Sequence, residues 1–142
     1  MIFGAPSEPE EQTVIVQAGG TGGVTTPQFR VFADGVLIAE RSIPNPVSGP
    51  FDVHDDSRFE TFVFRFEGPA PEEIELVYFG DGKDAATGID RNLYVDWIEV
   101  NGERHEAEID GDFTPRNPKF DFLSGPREKL FVNGTLTFDD LA

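Results

Sequence analysis

The sequence predicts an all-β fold, a two-sheet antiparallel β-sandwich of jelly-roll type. Glycine and proline are frequent, with 15 and 11 copies in 142 residues, and they separate short segments rich in β-branched and aromatic residues. Within these segments apolar and polar side chains alternate, and no helical periodicity continues for more than two turns. Roughly eight strands with connections of varied length favour two packed sheets.

Periodicity and turn signals place the strands in order along the chain. The predicted strands are residues 13–18, 28–33, 36–43, 58–66, 73–79, 93–100, 103–108, 129–132 and 135–139. The segment 1–12 is acidic and proline-rich, which is typical of a tail or linker. We therefore expect one β-sandwich domain over residues 13–142.

The connections in the first half follow from glycine and proline. The glycine run at 19–23 predicts a loop, because glycine is costly in regular structure. Asp34-Gly35 between two apolar runs predicts a hairpin turn. Residues 44–57 contain three prolines, which cannot donate to a strand ladder, so a long loop is expected there.

The second half shows the clearest alternation. Apolar side chains recur at every second position: Phe62, Phe64 and Phe66 in one strand, and Ile74, Leu76 and Tyr78 in the next. Trp97 shares a face with Leu93 and Val95, which favours core packing over exposed sugar stacking. Residues 110–127 are rich in Asp, Pro and Gly and are predicted as irregular. Asn133-Gly134 divides the last segment, which forms a final strand or hairpin.

Composition excludes several classes of function. The formal net charge of −16 disfavours nucleic acid as a partner, because an acidic surface repels phosphates. The absence of cysteine excludes disulfides, thiol catalysis and cysteine-ligated zinc. No apolar run is long enough to cross a bilayer, so membrane insertion is not expected. The N-terminus shows no basic and apolar segments typical of a secretory signal.

A loop with several oxygen ligands lies between two predicted strands. It combines carboxylates, an amide and glycines: Asp81, Asp84, Asp90, Asn92, Gly80, Gly82 and Gly88. Calcium takes many oxygen ligands, and a flexible loop lets carboxylates and backbone carbonyls converge on one point. The loop therefore predicts a Ca²⁺ site.

Residues 90–102, with the sequence DRNLYVDWIEVNG, resemble the signature of the calcium-dependent xylan-binding family of carbohydrate-binding modules. Three further patches are similar to that family and occur in its order: Gly20-Thr-Gly-Gly23, Phe79-Gly-Asp81 and Val132-Asn-Gly-Thr-Leu-Thr-Phe138. The four patches cover most of residues 13–139.

The resemblance implies a small, non-catalytic β-sandwich that binds xylan or related β-glycans through one Ca²⁺ ion. Asp81 and Asp90 would supply carboxylate ligands, Arg91 its backbone carbonyl, and Asn92 a side-chain oxygen or a sugar contact. Asp84, in the variable part of the loop, completes the predicted ligand set. Vicinal sugar hydroxyls can replace two waters in a calcium shell, so polysaccharide or cell-surface glycan is the expected partner.

The chain departs from the family in three places. Val24 stands where a glutamate is usual, Phe131-Val132 replaces a common tryptophan, and residues 82–89 contain no aromatic that could stack on a sugar. Phe51, in the long loop, is the aromatic predicted to contact carbohydrate.

Two alternatives come from other classes. The protein could be a structural subunit of a surface fibre or virion spike, with purely structural calcium, as the acidic N-terminal arm suggests. Either hypothesis implies an extracellular, particle or cell-surface location, in a larger assembly or multidomain protein. A small glycan hydrolase is disfavoured, because it needs two carboxylates across a cleft and no such pair stands out on the strands.

Overall fold

The computed structural model describes residues 10–141. Its strands are β1 Glu11–Thr21, β2 Gln28–Ala33, β3 Val36–Ser42, β4 Glu60–Glu67, β5 Ile74–Phe79, β6 Gly82–Lys83, β7 Asp90–Val100, β8 Glu103–Glu106, β9 Asp112–Pro115, β10 Lys129–Leu130 and β11 Gly134–Phe138. A short helix, α1 (Ala107–Asp110), and two 3₁₀ segments, Asp56–Arg58 and Pro118–Leu123, complete this part of the chain. No helix within it is both long and apolar enough to cross a membrane.

The strands form two antiparallel sheets. The first has the order β10-β7-β1-β4, with β6 and β8 also paired to β7. The second has the order β3-β2-β5-β11-β9. The prediction of an all-β sandwich is confirmed. The predicted tail lies mostly outside the described residues, and β1 already begins at Glu11.

The inward faces of the two sheets form one hydrophobic core. The alternation in β5 is confirmed, with Ile74, Leu76 and Tyr78 all buried. In β4 the three phenylalanines also share a face, with Phe64 buried and its two partners half-buried. Further core side chains come from the other strands: Val14, Val16, Phe29, Val31, Leu93, Ile98, Phe113 and Leu136. Burial of this apolar surface is the main force that holds the sheets together.

The glycine run does not begin a loop at residue 19, so that prediction is wrong. Gly19 and Gly20 continue β1 and pair with β7. A Cβ atom at Gly20 would lie 2.7 Å from the Asn92 carbonyl oxygen and 2.5 Å from Cγ of Pro27. Glycine is needed here because neighbouring chain segments approach the backbone closely, not because the backbone needs freedom.

Two expectations near the C-terminus also need correction. Residues 110–127 are not wholly irregular, because β9 pairs with β11 at the edge of the second sheet. The last two strands do not form a hairpin, since β10 pairs with β7 in the first sheet while β11 lies between β5 and β9 in the second. The chain therefore crosses from one sheet to the other at residues 131–133.

A bulge in β7 changes the position of Trp97. Gln17 pairs with Trp97 but the next residue, Ala18, pairs with Val95, so Asp96 is an extra residue in the ladder. The side chains beyond it change face, and Ile98 is buried in the core while Trp97 is only half-buried. The Arg104 guanidinium stacks over the indole at 3.9 Å. The predicted core position of Trp97 is therefore wrong.

Candidate functional site

The acidic loop lies where β5 ends and β7 begins. It is not a free loop, because β6 pairs with the first residues of β7, in the register Gly82↔Arg91 and Lys83↔Asp90. Asp81 directly precedes β6, so this pairing keeps it close to the start of β7. The local fold therefore brings Asp81 and Asp90 together, as the sequence predicted for calcium ligands.

The charge of Asp90 acts on the neighbouring Asp81 carboxyl. Burial and the nearby Asp90 charge raise the pKa of Asp81 above its usual value. Burial is the largest cause that raises the pKa of the Tyr78 phenol, and the charges of Asp81 and Asp90 raise it further. Asp81 is half-buried and Asp90 is exposed, so one acid lies inside the rim of the sandwich and the other faces solvent. Two neighbouring carboxylates form a negative site that favours a cation.

Asn92 adds an oxygen that lacks a partner. Its Oδ1 is buried and accepts no hydrogen bond, while its Nδ2 donates to Oδ2 of Asp90 at 3.4 Å. Its backbone N–H donates to Oγ1 of Thr21 at 3.1 Å, and that hydroxyl donates to the Asp90 carbonyl at 2.7 Å. An unsatisfied buried carbonyl oxygen is costly, and a hard cation would satisfy it. The donor set of carboxylates and an amide oxygen fits calcium.

Arg91 has a second role that the sequence did not indicate. Its carbonyl oxygen, the predicted ligand, accepts from the Tyr78 hydroxyl at 2.7 Å. Its side chain donates from Nε to the Gly80 carbonyl at 2.7 Å and from Nη1 to Oγ1 of Thr25 at 2.6 Å. The guanidinium thus holds the loop against the β1–β2 connection, and the carbonyl oxygen is already a hydrogen-bond acceptor.

Asp84 is hydrogen-bonded through both carboxylate oxygens. Its Oδ2 accepts from the backbone N–H and the hydroxyl of Thr25 at 2.7 and 3.2 Å. Its Oδ1 accepts from the backbone N–H groups of Ala86 and Thr87 at 2.9 and 3.3 Å. These hydrogen bonds lower the pKa of Asp84, and the bond from the Thr25 backbone N–H has the largest effect. The carboxylate is buried and engaged by four donors, so Asp84 organises the loop, and its role as a calcium ligand stays a prediction.

Phe51 also has a packing role. Its ring stacks in parallel on Tyr94, with centroids 4.1 Å apart, and meets Phe59 edge-on at 5.1 Å. A Cβ atom at Gly19 would lie 2.8 Å from this ring. One face of Phe51 is therefore covered, and the side chain attaches the long loop to the first sheet. The predicted contact of Phe51 with carbohydrate stays a prediction.

A second acidic cluster was not predicted. Asp96 in the β7 bulge, Glu106 at the end of β8 and Glu108 in α1 have carboxylate oxygens within 4.8 Å of one another. The pKa values of Asp96 and Glu106 are both raised. Burial is the larger cause and the charge of Glu108 is the second. The β7–β8 hairpin at Asn101-Gly102 brings these acids together, and the Asn-Gly turn was the available signal. Exposed acids often cluster without an ion, so this group by itself defines no site.

The sequence matches a family model for calcium-dependent, xylan-binding carbohydrate-binding modules, CBM60, over residues 13–114. The chain belongs to this family. CBM60 modules are non-catalytic, which confirms the prediction of a carbohydrate-binding module rather than an enzyme. The matched region contains Asp81 and Asp90, called the paired acids below, and the whole of β7 with Asn92.

Two solved structures share the fold of this CBM60 chain. The first, vCBM60 in complex with galactobiose, has 21% sequence identity, a TM-score of 0.63 and coverage of 89% of this chain and 97% of that one. The second is a selenomethionine form of vCBM60, from work on a circular permutation that links two families of calcium-dependent modules. It has 20% identity, a TM-score of 0.62 and 91% coverage of both chains. No curated protein sequence matches the chain.

Proposed function

We propose that this CBM60 module binds polysaccharide in a calcium-dependent manner, through a site formed by Asp81, Asp90 and Asn92. The main support is the buried, unpartnered Oδ1 of Asn92, whose side chain contacts Asp90, together with the Asp90 charge that acts on Asp81. The family's calcium dependence supports the choice of ion.

Each residue has a distinct part in this proposal. The two carboxylates would supply negative charge and Asn92 a neutral oxygen, while the Arg91 carbonyl accepts from the Tyr78 hydroxyl and so holds the start of β7 in place. A bound Ca²⁺ ion would supply open coordination positions that vicinal sugar hydroxyls can fill. Because Asp90 is exposed, the site faces solvent and a long glycan can reach it from outside.

The family description and one neighbour suggest the sugars. The family is described as xylan-binding, and vCBM60 has been solved with galactobiose. We therefore propose xylan-like and galactan-like polysaccharides as partners, outside the cell or at a cell surface. Few contacts per sugar predict weak affinity, roughly micromolar to millimolar.

Isothermal titration against a glycan panel tests this function. Xylan, galactan and their oligosaccharides are titrated into the protein with excess Ca²⁺ and, in parallel, with EDTA. We expect binding heats for at least one of these glycans with calcium and none with EDTA. Calcium uptake without any glycan response would contradict the proposal and favour a structural ion.

A further inference from the structure

An open groove adjoins the proposed calcium site through Asp81. Its volume is about 470 Å³, within the range of small-ligand sites. Its lining comes from three separate segments of the chain: Asp81, then Arg116, Asn117, Pro118 and Phe120, then Val132 and Asn133. Residues 116–133 lie outside the part of the chain that matches the CBM60 model.

Asn133 holds the groove and the paired acids in one arrangement. Its Oδ1 accepts from the backbone N–H of Asp81 at 2.9 Å, and its carbonyl accepts from the backbone N–H of Arg116 at 2.9 Å. The same residue therefore fixes the loop that carries Asp81 and the start of the segment that forms the groove wall. The groove and the calcium site are parts of one surface.

The groove offers the two kinds of contact that a pyranose needs. Phe120 is half-buried and packs against Phe122, with ring centroids 6.2 Å apart, and the Lys119 ammonium lies 5.1 Å from its centroid. The part of the ring that lines the groove is an apolar surface with restricted mobility. Arg116 is exposed and forms no salt bridge with any carboxylate of residues 10–141, which leaves its guanidinium donors available. The Asn117 Oδ1 accepts from the Lys119 backbone, so its Nδ2 also remains a donor. A sugar presents an apolar C–H face and a rim of hydroxyls, which these groups complement.

We propose that this groove is a second sugar subsite, which holds the pyranose next to the one bound at the calcium site. The inference rests on the proposed function, because it extends the same binding surface along a glycan chain. It also accounts for the missing aromatic in residues 82–89: Phe120 supplies an apolar ring from a different segment. Binding strength therefore depends on oligosaccharide length and on residues 116–120.

Titration with sugars of one, two and three units, from the xylose and galactose series, tests the subsite at saturating Ca²⁺. In the parent protein the disaccharide should bind about tenfold more tightly than the monosaccharide, the effect of a few added contacts. Phe120→Ala should reduce this gain to about twofold, while monosaccharide and calcium affinities stay unchanged. Arg116→Gln, at an exposed position, should reduce it by a similar factor without affecting folding.

Ile109→Ala is the control, because Phe122 packs against Phe120 and is not independent of it. Ile109 lies in α1, is 67% exposed and does not line the groove. This variant should keep the full increase in affinity from monosaccharide to disaccharide. No difference between one and two units in the parent, or equal behaviour of the Phe120 and Ile109 variants, would overturn the subsite alone. Absence of any calcium-dependent sugar binding in the parent would overturn the proposed function, and the subsite with it.

Discussion

Asp90→Asn is expected to reduce calcium affinity by roughly a hundredfold or more and to abolish detectable glycan binding, while the sandwich remains folded. The substitution removes one of two carboxylates that the proposed site uses for charge. Asp90 is exposed, and its side chain makes only one long contact, at 3.4 Å, with Asn92. Its carboxylate therefore contributes little to stability, and the loss should be confined to the ion and the sugar.

Calcium titration by calorimetry measures the effect, and Asp139→Asn provides the control. Asp139 is also exposed, and it follows the end of β11 that pairs with Ile74, so it lies at the opposite end of the sheet from the site. Both variants remove one negative charge, so a difference between them reports the local role of Asp90 and not the change in net charge. If the two variants bound calcium with the same affinity, Asp90 would have no part in the site.

Gly20→Ala should lower the free energy of unfolding by roughly 2–3 kcal/mol. The new methyl group would lie 2.7 Å from the Asn92 carbonyl oxygen, which is backbone, and 2.5 Å from Pro27. Relief of this overlap requires the end of β1 to separate from β7. Because Asn92 would move as well, calcium affinity should fall together with stability.

Thermal unfolding measures this change, with an expected decrease in melting temperature of roughly 5–10 °C. Gly49→Ala is the matched control, because a Cβ atom there would meet nothing within 4 Å and the backbone is not left-handed. The control should melt within about 1–2 °C of the parent. A Gly20→Ala protein that melted at the parent temperature would show that the two strands are not so close.

The sequence predicted those parts of the fold that depend on local pattern. Alternation identified β4 and β5, and the Asp34-Gly35 turn identified the β2–β3 hairpin. The role of Gly20 was missed because it depends on contacts with Pro27 and β7, which are distant in sequence. A bulge such as that at Asp96 leaves no mark in an alternation pattern, so the outward position of Trp97 could not be foreseen.

The candidate site was also predictable from the sequence only in part. The Asp90-Arg91-Asn92 motif indicated residues that the structure does bring together with Asp81. Asp84 has the same chemistry, but its carboxylate is engaged by donors that include Thr25, 59 residues away. Residue type and loop composition could not distinguish a ligand from a carboxylate that organises its own loop. The groove at 116–120 was missed because three separate segments form it.

If calcium and sugar meet at one site, their binding affinities must be coupled, and this coupling can be measured. Ca²⁺ is titrated into the protein with no sugar and again with a saturating oligosaccharide, xylobiose or galactobiose. If the sugar contacts the ion, calcium should bind several-fold more tightly in its presence, by the same factor that calcium strengthens sugar binding. Equal calcium affinities with and without the bound sugar would show that the sugar does not contact the ion.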